Sequence, residues 1–159
     1  MTIAATASVD RVQVQELLSR YYGAIDDKRL DRALVDATFT VDGRLVNPTG
    51  TALVGREAIT EQQLTVVTKF RATHHVITDH LIDFEGDTAR LRANMTAMHL
   101  WAEDCSDAFA LESHFLAGGV FEGQAARTAD GWRLRELSLR ITWRTGAVPV
   151  IATSPRVFG

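Results

Sequence analysis

Thr88-Ala89-Arg90-Leu91-Arg92-Ala93-Asn94-Met95-Thr96-Ala97-Met98-His99-Leu100-Trp101 decides the fold class. Ala89, Leu91, Ala93, Met95, Ala97, His99 and Trp101 occupy every second position, opposite Thr88, Arg90, Arg92, Asn94 and Thr96. A period of two is that of a strand with one buried face, and it puts His99 on the apolar side. Upstream, Thr73-His74-His75-Val76 opens a strand that turns at Glu85-Gly86-Asp87. Downstream, Leu111 to Arg127 reads as a further strand with a bulge or bend at Gly118-Gly119, where glycine tolerates unusual backbone angles. Ala129-Asp130-Gly131 then turns the chain into a last strand carrying Trp132, Leu134, Leu137, Leu139, Ile141 and Trp143, with a phase slip near Glu136 that indicates another bulge.

The N-terminal part has a different period. Val9, Val12, Leu17, Leu18, Tyr21, Tyr22 and Ile25 follow the three-to-four spacing of one buried helix face, with Ser8 as the expected N-cap. Asp26-Asp27-Lys28-Arg29 breaks that helix, and Leu30, Ala33, Leu34 and Ala37 predict a short second one ending near Thr38. Phe39, Val41, Gly43 and Leu45 alternate as a strand stopped by Asn47-Pro48-Thr49-Gly50, after which Gly55 to Phe70 reads as a third helix. Helices followed by a run of long antiparallel strands make an α+β domain, its helices on one face of a bent sheet.

With 159 residues the chain suits a single domain, and 46% hydrophobic with 23% charged residues matches an ordinary globular protein. The core is expected over about residues 9–146, with residues 147–159 as a C-terminal arm. A net charge of -3 with scattered Lys and Arg offers no footprint for nucleic acid. No apolar run suits a membrane span, and the N-terminal stretch lacks the basic flank of a signal peptide. The single cysteine, Cys105, cannot form an internal disulfide, so a cytoplasmic setting is expected. No His, Cys, Asp or Glu spacing matches a chelating motif, so neither a metal nor another cofactor is expected.

The order of elements, with Tyr21-Tyr22 and Ile25-Asp26-Asp27-Lys28 ending helix one and Thr73-His74-His75-Val76 starting the strand after helix three, resembles the SnoaL-like branch of the nuclear transport factor 2-like superfamily. The resemblance runs from about Val9 to Gly146. Polyketide cyclases, scytalone dehydratase, bile acid dehydratase and a hexachlorocyclohexane dehydrochlorinase belong to that group. It implies a cone-shaped, mixed but mostly antiparallel sheet wrapped around three helices and enclosing a pocket, and a homodimer or higher homo-oligomer. Eliminating members use an aspartate after helix one, which matches Asp26, and a histidine early in the following strand, which matches His75. A second histidine, as in the scytalone dehydratase type, matches His99, with Tyr22 and Tyr21 as pocket tyrosines. Phe39, Met95, Trp101 and Phe115 are the expected substrate-binding side chains. The dehydrochlorinase type carries a basic residue on the last strand at the position of Leu137, so Arg140 and Arg144 have no counterpart there.

The chemistry of these residues agrees with elimination or enolisation beside a carbonyl. Histidine titrates near neutrality, with an unperturbed pKa of about 6.5. If Asp26 accepts a hydrogen bond from one ring nitrogen of His75, it fixes the tautomer and leaves the other nitrogen to take a substrate proton. His99 or the Tyr22 hydroxyl would protonate a leaving group or stabilise an enolate oxygen. Each residue also has a plain structural reading: Asp26 a helix cap, His99 a satisfied core histidine, the tyrosines core aromatics. His74 and His75 alternate, so only one of them enters a pocket. The expected function is a cofactor-independent dehydratase, cyclase or isomerase acting on a hydrophobic carbonyl compound, polyketide- or steroid-like. The alternatives on the same fold are a non-catalytic small-molecule-binding or assembly module and the small subunit of an aromatic-ring dioxygenase.

Overall fold

The computed structural model describes residues 3–102, 107, 110 and 113–147; the expected C-terminal arm and Cys105 therefore lie outside the described residues, Ala147 excepted. Helix α1 spans Ile3–Asp26 and α2 Arg32–Thr38; strand β1 spans Phe39–Val46, β2 Ala52–Val54, helix α3 Arg56–Val67, and strands β3 to β6 Phe70–Glu85, Thr88–Trp101, His114–Thr128 and Gly131–Gly146. The strands form one six-stranded sheet in the order β2-β1-β6-β5-β4-β3, antiparallel except where β1 runs parallel to β6. This is the α+β architecture expected from the sequence.

Helix α1 packs on β3 and β6. Val14, Leu17, Leu18, Tyr21 and Ile25 form its buried stripe and meet inward residues of the sheet, among them Leu91, Ala93, Phe121, Leu134 and Leu137. The N-terminal half is pinned by Asp10, whose carboxylate accepts Arg127 Nη1 at 2.9 Å, Arg127 Nη2 at 2.6 Å and Trp132 Nε1 at 3.1 Å. At the other end Lys28 adopts φ 57°, and its ammonium donates to the carbonyls of Val67 at 3.0 Å and Phe70 at 2.7 Å. That bolt ties the end of α1 to the last carbonyl of α3, where a cation complements the helix dipole, and to the first residue of β3.

Three features differ from the sequence reading, and one expected boundary goes untested. Helix α1 begins at Ile3, so Ser8 lies inside it instead of capping it; Ala4, Ala5 and Ala7 are strong helix formers that extend the helix past the apparent cap. Strand β2 went unread because three residues are too few to display a period. Helix α3 stops at Val67, and Phe70 begins β3, which is therefore longer than the stretch opened by Thr73. Strand β5 is described from His114; the expected start at Leu111 lies outside the described residues.

The expected irregularities are present. Pairing shifts at Gly118/Gly119, opposite Ile141 and Trp143, and at Gln124/Ala125, opposite Leu134 and Glu136, which leaves Thr142 and Arg135 as the extra residues. A third shift, between Thr78 and Leu81, takes Asp79 to φ 54° on the edge strand β3. Bulges increase local twist, and these curve the long strands around the helices.

Candidate active site

Asp26 and His75 lie 49 residues apart in sequence and meet at the junction of α1 and β3. Asp26 closes the last turn of α1, and its carboxylate reaches the free side of β3, the edge strand of the sheet. There it accepts three hydrogen bonds: from the His75 backbone N–H at 2.8 Å, from the Thr73 hydroxyl at 2.7 Å, and from His75 Nδ1 at 2.6 Å. An edge strand has unpaired N–H groups, and the carboxylate takes one of them while orienting the ring.

Alternation does what the sequence predicted for the tandem histidines. His75 pairs with Ala97 and faces inward, its side chain 8% exposed, while His74 is exposed on the outer face. Thr73 shares the inward face with His75, two positions away. The sequence reading quoted Thr73 without a role; the same period-two argument places it beside Asp26.

Burial raises the free energy of the Asp26 anion, but the bonds from the His75 N–H, the His75 ring and Thr73 outweigh it and hold the carboxyl below its usual range. His75 is shifted down: burial disfavours the imidazolium, and the neighbouring Asp26 only partly offsets that. At neutral pH the pair is thus a carboxylate and a neutral imidazole, with the Nδ1 proton committed to Asp26 and the Nε2 lone pair left over.

A cluster of rings surrounds His75. Tyr22 lies 4.9 Å from it by ring centroids and 4.8 Å from Phe121, and His99 stands edge-on to it at 5.3 Å. His99 stacks on Phe115, 4.4 Å away with planes 5° apart, and Phe70 and Trp101 close the far side. Burial, then electrostatic repulsion from a protonated His75, pushes the His99 pKa down to about 4, so His99 is neutral at pH 7; among the described residues its buried Nδ1 has no hydrogen-bond partner. The Tyr22 phenol is raised well above its usual range by burial and by Tyr21, and stays protonated.

The remaining expected site residues divide by depth. Trp101 and Phe115 belong to the ring cluster, and Trp101 Nε1 donates to the Ala147 carbonyl at 2.7 Å. Met95 is 3% exposed on the inward face of β4; Tyr21 and Phe39, both 0% exposed, pack edge-to-face in the core at 5.4 Å. Phe70 and Phe121 were not singled out from sequence: Phe70 is the first residue of β3, where the sequence reading ended a helix. Of the two β6 arginines weighed from sequence, Arg140 pairs with Val120 and faces outward, whereas Arg144 pairs with Ala117 on the inward side.

Two surface clefts of about 540 and 430 Å³ lie elsewhere, the first around Asp36, Arg56, Asp130 and Arg133, the second around Arg90, Arg92, Glu122 and Glu136. Neither includes a member of the histidine cluster. The cluster is distinguished by its acid–base chemistry: an oriented neutral imidazole, two uncharged groups that can donate a proton or hydrogen bond, and an apolar wall. Among the described residues no three His, Cys, Asp or Glu side chains converge as a metal site would require, and no helix is long and apolar enough to cross a membrane.

The sequence matches the family described as the SnoaL-like domain over residues 6–138. An uncharacterised protein of Mycobacterium tuberculosis is 29% identical over 126 residues, which cover 79% of this chain and 80% of the relative. Among solved structures, a Novosphingobium aromaticivorans protein provisionally named a scytalone dehydratase superposes with a TM-score of 0.78 at 20% identity, covering 96% of this chain and 100% of the other. A hexachlorocyclohexane dehydrochlorinase from Novosphingobium barchaimii does so with a TM-score of 0.75 at 15% identity, covering 94% and 97%. At these identities the two structures share the fold with this chain, and they include enzymes.

Proposed function

This chain belongs to the SnoaL-like domain family, and from that premise we propose that it is a cofactor-independent lyase or isomerase that removes a proton beside the carbonyl of a hydrophobic small molecule. The observation that carries the reading is the Asp26–His75 contact of 2.6 Å, made through Nδ1 and backed by two further bonds that keep Asp26 ionised. The Nε2 lone pair takes the proton on the carbon next to the carbonyl, and its electron pair moves into an enolate. Asp26 stabilises the imidazolium that results.

The two groups beside His75 divide the remaining work. With its pKa at about 4, His99 is too weakly basic to hold a proton for transfer at pH 7, so it acts as a neutral N–H donor toward the enolate oxygen. Tyr22, protonated and in ring contact with His75, is the better proton donor to a departing hydroxide. Loss of that group completes a dehydration; return of the proton at another carbon completes an isomerisation, and attack of the enolate on a second carbonyl completes a cyclisation.

The expected outcome of the direct test is that His75→Ala abolishes dehydration of a β-hydroxy ketone and Asp26→Asn lowers kcat by about 10²–10⁴-fold, both with melting temperatures within a few degrees of wild type. Full turnover in either variant, or a collapse of the melting temperature with turnover retained, assigns the pair to the scaffold.

A further inference from the structure

Strand β6 faces inward at Leu137, Leu139 and Ile141, and outward at Ser138 and Arg140. Strict alternation would turn residue 143 inward and residue 144 outward. The bulge at Thr142 reverses this. Gly119 pairs with Ile141 but Gly118 with Trp143, and the Thr142 hydroxyl donates to the Gly118 carbonyl at 3.0 Å. Trp143 is thereby thrown onto the outer face, its indole so close over Gly118 that a Cβ there would lie 2.2 Å from Nε1. Gly118, lacking a Cβ, leaves room for that indole, and past the bulge Arg144 is carried to the inner face.

Its register is informative. Arg144 pairs with Ala117, Ala117 with Ala97, and Ala97 with His75, so Arg144 and His75 share one row across four adjacent strands. Three strand spacings make about 14 Å along the sheet, and less across the curve. Beyond Ser138 no β1 residue pairs with β6, and Arg144 is exposed at that open rim. Among the described residues no carboxylate lies within ion-pair distance of Arg144, a property it shares with Arg11, Arg71, Arg92, Arg133, Arg135 and Arg140 but combines with its place in the His75 row. The wall between Arg144 and His75 is apolar and aromatic, which strengthens an electrostatic attraction at its edge.

We propose that Arg144 is a specificity-determining residue that binds a carboxylate at the far end of an apolar ligand whose reacting carbon lies at His75. The inference rests on reading the His75 cluster as the reacting centre and adds the substrate class, a hydrophobic carbonyl acid. A planar guanidinium matches a carboxylate with two parallel hydrogen bonds, which an ammonium cannot reproduce.

The test uses naphthylbutyrate and its uncharged amide, two probes with the same rings and nearly the same shape. Their dissociation constants are measured by fluorescence, and ¹H–¹⁵N NMR of the His75 ring reports whether each reaches the dyad. In wild type both probes should move the His75 resonances. Arg144→Gln should weaken the acid about tenfold and the amide less than twofold, with Arg144→Lys recovering only part of the loss. Equal losses for acid and amide, no loss for either, binding that leaves His75 unmoved, or no binding of the acid at millimolar concentration would each overturn the proposal. Failure here is distinct from failure of the catalytic reading, which His75→Ala tests by turnover.

Discussion

His75 and Asp26, which the resemblance pairs, meet in the structure at 2.6 Å. The aspartate at the end of a helix and the histidine at an alternating position were both legible, because each sits where a local pattern ends or changes. Thr73 was legible in the same way once the face of His75 was known. The electrostatic environment was not, since it depends on which rings arrive from other strands. His99 illustrates the point: its inward position follows from the period of β4, but its depressed pKa follows from burial and the proximity of His75. The sign of the consequence is fixed. A histidine whose folded pKa of about 4 lies below the unfolded value of about 6.5 contributes stability that is present above pH 6.5 and lost as pH falls toward 4. Between pH 7 and pH 5 the protein should therefore lose on the order of 2 kcal/mol of unfolding free energy through His99. Denaturant titrations at the two pH values should show a smaller loss for His99→Gln; an unchanged loss would remove His99 as its source.

At the scale of elements, periodicity was a good guide to strands and a poorer one to their ends. Strands β4 and β6 were readable because fourteen or more residues repeat one choice of face. Strand β2 and the first turns of α1 were not, because pairing to a neighbour and alanine propensity left no apolar period to read. Two reverse turns and two bulges were marked by glycine or by a phase slip, yet the functional effect of the Thr142 bulge, turning Trp143 out and Arg144 in, needed the register of β5. The attachment of α1 is likewise a property of elements. Asp10 is 8% exposed and receives a two-pronged bond from Arg127, whose guanidinium lies 4.6 Å from the Trp132 ring. Arg127 is partly open to solvent, which reduces the value of the pair, so Asp10→Ala is expected to cost about 2 kcal/mol and to lower Tm by about 5 °C. Thermal melting checks this, and a Tm unchanged within a degree would show that apolar packing alone seats the helix.

For the molecule as a whole, helix α1 is held at both ends, by Asp10 near its start and by Asp26 and Lys28 at its close, and the sheet curves over it. That arrangement brings groups from α1, β3, β4 and β5 to one place, which explains why the fold class was readable from the sequence while the ring cluster was only partly so. The outer face carries exposed apolar side chains, Val76 at 45%, Leu81 at 60% and Trp143 at 50%. We propose that this face joins two copies in the homodimer that the resemblance implies. Light scattering should return twice the chain mass, and Trp143→Arg should shift it toward the monomer; a monomeric wild type would contradict that pairing.

In the proposed reaction His75, held by Asp26, removes a proton next to a carbonyl. The most direct measurement is deuterium uptake at that carbon in deuterated water, followed for β-hydroxy ketones with wild type and His75→Ala across pH. Uptake is expected with wild type alone, with an acid limb below the ordinary histidine value of about 6.5 because burial lowers the His75 pKa. Exchange that persists undiminished in His75→Ala, or wild type that binds the compounds and exchanges none of them, would contradict it.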